Sequence, residues 1–142
     1  MIPGNKVYNE PVSSLDIFST IAAISHIPLP SDRQYDGVNL LPCLSNDSIP
    51  HDIFFWQSGY SMAIRKDDWK LYVNEKNKKT FLFNIVIDPE EKHDLSASQS
   101  EKVKELLNAL QQWEKTQTIK PLWPNAADVV IEVDGEKYYF PT

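Results

Sequence analysis

The chain has 142 residues, of which 42% are hydrophobic and 24% are charged, a composition typical of a single globular domain rather than a disordered chain. Fourteen basic residues against twenty acidic ones give a net charge of −6, so we expect no nucleic-acid partner. No stretch approaches the roughly 20 apolar residues that cross a bilayer, so we expect no membrane partner. Residues 1–6 read as part of a surface loop without a signal-peptide pattern, which predicts that the chain is a piece of a longer protein.

The first predicted element is an N-terminal helix. Residues 12–25 repeat apolar side chains at helical spacing, and prolines follow them and end the helix. Ser13, with Asp16 three residues later, forms a variant of the capping box at the start of this helix. Residues 28–52 then carry Pro, Asp-Gly and Asn-Asp turn signals, which predict a loop held to the body by a few apolar side chains.

The middle of the chain predicts an antiparallel meander. Aromatic and β-branched residues indicate four strands, at residues 53–57, 61–66, 69–74 and 81–85. An Asp-Asp dipeptide at residues 67–68 supplies a two-residue turn between the second and third strands.

A helix and a hairpin are predicted after the sheet. Ser98 and Glu101 form a second capping box before a regular amphipathic pattern that continues to about Lys115. Asp-Gly between residues 129–133 and 137–140 is a strong hairpin signal. The predicted fold class is therefore α+β: a four-stranded antiparallel sheet packed by a long C-terminal helix, plus an N-terminal helix and a C-terminal β-hairpin, in one domain over residues 1–142.

The titratable residues predict no catalytic residue and no metal site in this chain. His26, His51 and His93 lack ligand spacing and are interpreted as loop or surface residues. The acidic cluster at residues 88–94 lacks the alternating ligands of a calcium loop and is interpreted as a solvated turn. Cys43 lies in an apolar context, which favours a buried structural thiol over a nucleophile.

An aromatic and polar stretch beginning at the first strand supplies the candidate substrate-binding residues. A strand that ends in Trp-Gln before a Gly-bearing loop presents stacking and hydrogen-bonding groups suited to a sugar or aryl ligand, and an arginine on the next strand suits an anion. The alternative interpretation places the tryptophans in the core and the arginine on a sheet face. The candidates are Trp56, Gln57, Ser58, Tyr60, Arg65 and Lys70.

Five segments, in order along the chain, resemble type I sulfatases, the arylsulfatase-like members of the alkaline phosphatase superfamily. Residues 10–21 resemble the family's Val-Ser-x-x-Asp-Ile-x-Pro-Thr helix, with Ser19 at the usual proline. Residues 27–42 resemble its Pro-rich loop with Asp-Gly. Residues 63–71 match its Ala-x-Arg-x-Gly-Asp-Trp-Lys-Leu hairpin, and residues 81–95 match its Leu-Tyr-Asp-Leu-x-x-Asp-Pro-x-Glu segment. The tail, with Trp113 and then Trp123-Pro124 before a hairpin, is similar to the ends of arylsulfatases.

The resemblance implies the C-terminal subdomain of a sulfatase, without the catalytic N-terminal domain. In the family this subdomain is a small sheet with one long helix that packs on a large α/β domain and lines part of the substrate pocket. Sulfatases use a formylglycine made from Cys-x-Pro-x-Arg together with Ca²⁺ or Mg²⁺, but Cys43 is followed by Leu44 and Ser45. The resemblance therefore implies a parent sulfuric ester hydrolase that holds these cofactors elsewhere, with this chain inactive alone.

The resemblance also sets expectations for partners and location. The apolar side chains of the first helix and of one sheet face exceed what one helix can cover, so we expect the N-terminal catalytic domain as a partner, or self-association of the fragment. Periplasmic or secreted localisation is implied by the family alone. Two alternatives stay open: a subdomain of a related phosphonate or phosphodiester hydrolase, and a free-standing binding or oligomerisation module.

Overall fold

A computed structural model describes residues 4–5, 7–46, 48–117 and 127–141. Contacts divide the chain into two compact units, residues 1–52 and residues 53–142. The first unit contains helices α1 (Asp16–Ile24) and α2 (Leu41–Asn46). The second unit contains the remaining elements: β1 (Ile53–Ser58), β2 (Ser61–Lys66), β3 (Trp69–Asn74), β4 (Lys79–Asn84), α3 (Ser100–Thr116), β5 (Asp128–Val133) and β6 (Glu136–Pro141). The prediction of one domain over the whole chain stays a prediction, and the predicted Trp123-Pro124 motif lies outside the described residues.

Strands β1 to β4 form an antiparallel sheet in chain order, which confirms the predicted meander. The two-residue turn after β2 begins at Asp67, whose φ of 53° suits an aspartate in a hairpin turn. Gly59, at a φ of 54°, begins the equivalent turn after β1. The fourth strand starts two residues earlier than predicted because Lys79 pairs with Asn74, and backbone pairing in register does not require an apolar side chain.

Helix α3 covers one face of this sheet, where the hydrophobic core of the second unit lies. Strand alternation directs every second side chain to that face, and fully buried Ile64, Leu71 and Leu82 pack there against Leu106 and Leu110 of the helix. Burying a Leu or Ile side chain contributes roughly 1.5–3 kcal/mol, so this cluster stabilises the unit substantially. The prediction of a C-terminal position for the long helix is wrong, since β5 and β6 follow it.

The predicted capping box at Ser98 and Glu101 is also wrong. Helix α3 begins at Ser100, and its N-cap, Gln99, makes no capping hydrogen bond through its side chain. The Ser98 hydroxyl instead donates to the carbonyl oxygen of Leu95 at 3.1 Å. The capping-box pattern therefore predicts a helix start that is too early, because Ser98 belongs to a turn that precedes the helix.

Strands β5 and β6 form the predicted hairpin. Asp134 and Gly135 both have positive φ, 53° and 80°, as a type I′ turn requires. The hairpin contacts the main sheet through the Asn74 amide, which donates to the carbonyl oxygen of Tyr139 at 3.0 Å. An ion pair between Lys79 and Glu136 adds a second contact.

The first unit is organised around α1, whose inward side carries small and polar residues. Asp16, Ser19 and Ala22 are its buried residues. The helix begins at Asp16 rather than at residue 12, and half of the predicted capping box is present: the Ser13 backbone N–H donates to the Asp16 carboxylate at 2.7 Å. The Ser13 hydroxyl accepts from the N–H of Leu15 instead of completing the box.

Helix α2 lies within the predicted loop and was not anticipated. The side chain of Asn39 accepts from the N–H of Leu41 at 3.0 Å, and Pro42 occupies the first turn, where a missing N–H is harmless. Cys43 is buried, which confirms that prediction. Among the described helices, none is long and apolar enough to span a bilayer.

Candidate functional site

The sheet face opposite α3 carries the polar and aromatic side chains of the candidate site. Strand alternation places Ala63 and Arg65 of β2 on this face, and Lys70 and Tyr72 of β3 beside them. In the antiparallel register Arg65 lies directly across from Lys70, and Ala63 across from Tyr72. The small side chain of Ala63 leaves space between its larger neighbours.

A cavity of about 620 Å³ opens on this face. Its floor comes from strands β1 to β3, and one wall comes from the segment that follows β4. The lining residues are Trp56, Ala63, Arg65, Lys70, Tyr72, Ile85, Val86, Pro89 and Glu91. Side chains of this mixed kind suit a ligand with both a polar and a ring-like part.

The two basic residues of the cavity differ in their partners. Lys70 donates through Nζ to Oε1 of Glu91 at 2.6 Å, so its charge is neutralised by a residue of the wall. The Arg65 guanidinium has no hydrogen bond or ion pair with any side chain or backbone group in the described part of the chain. Like charges opposite each other in a sheet are unfavourable, and Glu91 offsets the repulsion between Arg65 and Lys70 by pairing with the lysine.

Aromatic groups border the cavity next to these charges. The Trp56 indole is about half exposed and stacks on Phe54, with ring centroids 5.8 Å apart. The Tyr72 hydroxyl lies 3.2 Å from Oγ of Ser61 and accepts from the Asn74 amide at 3.3 Å. The phenol is therefore held in place, while one side of the indole stays accessible to a ligand.

The structure brings together three of the six predicted substrate-binding residues. Trp56, Arg65 and Lys70 line the cavity, whereas Gln57, Ser58 and Tyr60 do not. Gln57 follows Trp56 on β1, so alternation directs it to the α3 face of the sheet. Whether any of the six contacts substrate stays a prediction.

Tyr60 takes part in a contact with the hairpin instead. It lies in the turn after β1, and its hydroxyl donates to Asp128 of β5 at 2.7 Å. Desolvation and the Asp128 carboxylate raise the pKa of Tyr60 to about 12. Lys76, which also pairs with Asp128, lies over the Tyr60 ring. Tyr60 thus stabilises the position of the hairpin.

Sequence reasoning missed two polar residues of the cavity, Tyr72 and Glu91. Tyr72 could have been found, because it lies two residues after Lys70 on the same strand face. Glu91 was interpreted as part of a solvated turn, and only the path of the chain after β4 brings it to Lys70. Local sequence carries no signal for that contact.

The first unit contains a second polar cluster, which sequence reasoning also missed. Nε2 of His51 lies 2.8 and 2.9 Å from the two carboxylate oxygens of Asp16, and Asp16 is fully buried. Burial raises the pKa of Asp16, but N–H groups of Ser13 and Val38 and the His51 ring outweigh it and hold that pKa below its usual range. His51 lies in a loop as predicted, but its ring is mostly buried.

The described residues do not fit the metal ion or the formylglycine of sulfatases. In the described part of the chain, no three His, Cys, Asp or Glu side chains are grouped so that they could hold a metal ion. Cys43 is buried, and the residues after it supply neither the proline nor the arginine of the modification motif. Neither the residues of the cavity nor the Asp16–His51 pair supplies a metal site or a formylglycine.

Comparisons with known proteins relate the chain to sulfatases over part of their length. Human steryl-sulfatase is 35% identical over 89 residues, which cover 61% of this chain and 15% of that protein. The protein named uncharacterized sulfatase YdeN, from Escherichia coli strain K12, is 24% identical over 151 residues, covering 78% of this chain and 26% of its own length. No family model matches the chain.

Solved structures agree with this relationship. The crystal structure of Ps i-CgsB superimposes with a TM-score of 0.64 at 28% identity, over 78% of this chain and 26% of that one. The same protein has been solved in complex with k-i-k-neocarrahexaose, with the same agreement. The chain is therefore sulfatase-like, and it spans about 15–26% of the length of these relatives.

Proposed function

We propose that this chain contributes to the substrate-pocket rim and the domain packing of a sulfuric ester hydrolase, and that it is inactive alone. The observation that supports this most is the combination of sulfatase likeness with described residues that carry neither the Cys-x-Pro-x-Arg motif nor a metal-binding cluster. The reaction requires both, so they belong to another part of the parent enzyme. Periplasmic or secreted localisation belongs to the same proposal.

The rim role is supported by the cavity on the sheet face. It combines an arginine that is unpaired among the described residues with an accessible indole, whereas a face that serves only to pack would be expected to carry apolar side chains. The names of the relatives point to different substrates, such as steryl sulfates and N-acetylgalactosamine 6-sulfate. They therefore support sulfate esters in general and leave the rest of the substrate open.

The packing role is supported by the outward side of α1. Its large apolar side chains are more than half exposed, while its buried side carries small and polar residues. An exposed stripe of this kind marks a contact surface. The exposed residues of this stripe are Leu15, Ile17, Phe18, Ile21 and Ile24. The partner we propose is the catalytic domain of the same enzyme.

The reading frame upstream of the Met1 codon tests the proposed function. We expect an in-frame Cys-Ser/Thr-Pro-x-Arg motif, which would supply the formylglycine nucleophile. An upstream Thr or Ser nucleophile would favour a phosphonate or phosphodiester hydrolase instead. A stop codon and a separate promoter would contradict the proposal and favour a free-standing module.

The exposed stripe of α1 also favours the second candidate, a binding or oligomerisation module. Analytical ultracentrifugation of the chain over a hundredfold concentration range separates the two. Self-association that Ile21→Lys abolishes, in a chain with no upstream catalytic segment, would support the module. A stripe that is protected from hydrogen exchange only when the catalytic segment is joined supports the proposed function.

A further inference from the structure

The first unit contains a cavity of its own, of about 370 Å³, beside helix α1. One side of this α1 cavity comes from the start of the helix and the residues before it, and the other comes from the segment that leads into Gly37. Its lining combines aromatic rings, hydroxyl groups, an amide and one carboxylate. The side chains that bear on binding are those of Ser14, Phe18, Ser19, Gln34, Tyr35 and Asp36.

The carboxylate of the α1 cavity is uncompensated. Asp36 is exposed, and its carboxylate has no hydrogen bond or ion pair with any group in the described part of the chain. Arg33 lies nearby in sequence, but Asp32 holds it through Nε at 2.9 Å and Nη2 at 2.8 Å. The first 52 residues contain six acidic residues and two basic ones, so the surroundings reinforce the negative charge. A cationic group therefore complements this cavity.

The aromatic rings favour a flat cation. Phe18 and Tyr35 stack with ring centroids 5.8 Å apart, and Phe18 is 58% exposed. A guanidinium can lie on such a ring while its N–H donors point outward in its own plane. The Ser19 hydroxyl donates to the carbonyl oxygen of Gly37 at 2.7 Å, which leaves its oxygen free to accept. An ammonium group is a compact and more strongly hydrated charge, and it matches a flat ring with acceptors around it less well.

Other kinds of ligand fit this cavity less well. An anion would be repelled by Asp36. A wholly apolar group would remove water from the carboxylate without replacing its hydrogen bonds, which is costly. A metal ion needs several ligands, and no three His, Cys, Asp or Glu side chains are grouped for that purpose among the described residues.

The position of the cavity indicates that the cation belongs to a protein partner. Leu15 and Phe18 line the α1 cavity and also belong to the exposed apolar stripe of α1. The cavity thus opens within the surface that the proposed catalytic segment covers. An arginine that fills a pocket and is surrounded by apolar contacts is a common anchor of protein interfaces.

We propose that the α1 cavity receives an arginine side chain of the catalytic segment, whose guanidinium lies on the Phe18 ring and pairs with the Asp36 carboxylate. The proposal rests on the proposed function and deepens its packing role by naming the contact. Its first test uses this chain alone, so it does not depend on hydrolysis.

The experiment is an NMR titration of the 142-residue chain at constant ionic strength. The probes are N-acetyl-arginine methylamide, the corresponding citrulline compound, which has the same shape without the charge, and the corresponding lysine compound. We expect saturable shifts with the arginine probe, confined to the amides of residues 14–19 and 34–37. The citrulline probe should bind at least about tenfold more weakly, because it cannot form a charge-assisted pair with Asp36. The lysine probe should bind about threefold more weakly than the arginine probe.

Variants identify the residues responsible. Asp36→Asn should weaken binding of the arginine probe about tenfold, because it removes the charge and keeps the shape. Phe18→Leu should weaken it about two- to fivefold, because it removes the ring. Glu10→Gln is the matched control: Glu10 is an exposed acidic residue of the same unit outside the cavity, so the same change of charge should leave binding unchanged. Hydrogen exchange of α1 verifies the fold of each variant.

A second titration uses the chain joined to the upstream catalytic segment. The arginine probe should no longer shift the signals of the α1 cavity, because an arginine of the segment already occupies it. Asp36→Asn in the joined polypeptide should speed hydrogen exchange of residues 14–19, whereas Glu10→Gln should not.

Four results would overturn the inference. The first is the absence of saturable shifts, and the second is equal binding by Asp36→Asn and the unmodified chain. The third is binding of the arginine probe to the joined polypeptide as tightly as to the chain alone. The fourth is a set of shifts in the same residues that follows the concentration of the chain without any probe, which would identify a second copy as the occupant. None of these results changes the upstream reading frame, so the proposed function would survive them.

Discussion

The two units of this chain are stabilised by opposite arrangements of their side chains. In residues 53–142 the large apolar side chains between the main sheet and α3 point inward, and Ile64, Leu71 and Leu106 are fully buried. In residues 1–52 the large apolar side chains of α1 point outward, and fully buried Asp16 lies on its inner side. The second unit thus has an apolar core between its sheet and α3, and the first exposes the apolar side of its helix.

The difference shows what supports each unit. In the second unit, burial of apolar area supplies the main stabilising free energy. In the first, hydrogen bonds converge on α1: Val38 N–H donates to Asp16 at 2.9 Å, and the Ser19 hydroxyl donates to the carbonyl oxygen of Gly37 at 2.7 Å. Such bonds contribute only about 0.5–1.5 kcal/mol each, so burial of the apolar side of α1 by the proposed partner would add stabilising free energy to this unit.

The largest effect is expected from a change in the core of the second unit. Leu71→Ala should lower the free energy of unfolding by about 2–5 kcal/mol, because it leaves a cavity in a fully buried cluster. All four tryptophans lie in residues 53–142, so urea unfolding followed by tryptophan fluorescence reports on this unit. A loss below about 1 kcal/mol would contradict the core assignment.

The next largest effect is expected at Gly37, where two backbone segments of the first unit pack closely together. A Cβ added to Gly37 would lie 2.1 Å from the carbonyl oxygen of Leu15, so Gly37→Ala should destabilise this unit by about 1–3 kcal/mol. Gly4→Ala, where an added Cβ meets nothing within 4 Å, is the matched control. Hydrogen exchange by mass spectrometry should show faster exchange in residues 7–46 with the first variant alone. Equal exchange in both variants would argue against this contact.

A pH-dependent effect should distinguish the polar first unit from the apolar second one. The pKa of Asp16 lies below its ordinary value of 3.8, so its stabilising contribution is complete above that value and is lost as the pH falls through the lowered pKa. Asp16→Asn should therefore destabilise the first unit by about 1–2 kcal/mol at neutral pH, and the difference from the unmodified chain should shrink in acid. The measurement is hydrogen exchange of α1 between pH 3 and 7, corrected for intrinsic rates. If the stability difference between Asp16→Asn and the unmodified chain stays constant down to pH 3, the ionised Asp16 carboxylate does not stabilise this unit.

The smallest effect is expected on the outward side of α1. Ile21 is 57% exposed, so Ile21→Ala should change the stability of the isolated chain by less than about 0.5 kcal/mol. The same variant should be far more costly when the proposed catalytic domain covers the helix. A loss above 1 kcal/mol in the isolated chain, measured by the exchange rates of α1, would show that Ile21 is already buried in it.

The sequence predicted the sheet well because alternation, turn chemistry and pairing agree there. Strands β2 and β3 match their predicted bounds, and the Asp-Gly turn of the last hairpin was read correctly. The start of α1 was misplaced because Asp16 serves both the capping contact and the buried pair with His51, and local patterns describe only the first.

The candidate site was predicted only in part, for a similar reason. Arg65, Lys70 and Trp56 lie within one hairpin-sized stretch of sheet, so local reasoning could associate them. Gln57 is among the predicted site residues because it follows Trp56 in the sequence. Strand alternation nevertheless places it on the sheet face that α3 covers. Glu91 was missed because it reaches Lys70 only through the chain path after β4, which tertiary contacts decide.

The most direct test of the account is an activity assay of three polypeptides: this chain, the upstream catalytic segment, and the two joined. Hydrolysis of 4-methylumbelliferyl sulfate is measured for each. We expect only the joined polypeptide to be active, and in it we expect Trp56→Ala to raise KM while Gln57→Ala does not. Sulfate ester hydrolysis by this chain alone, or full activity of the upstream segment without it, would contradict the proposed role.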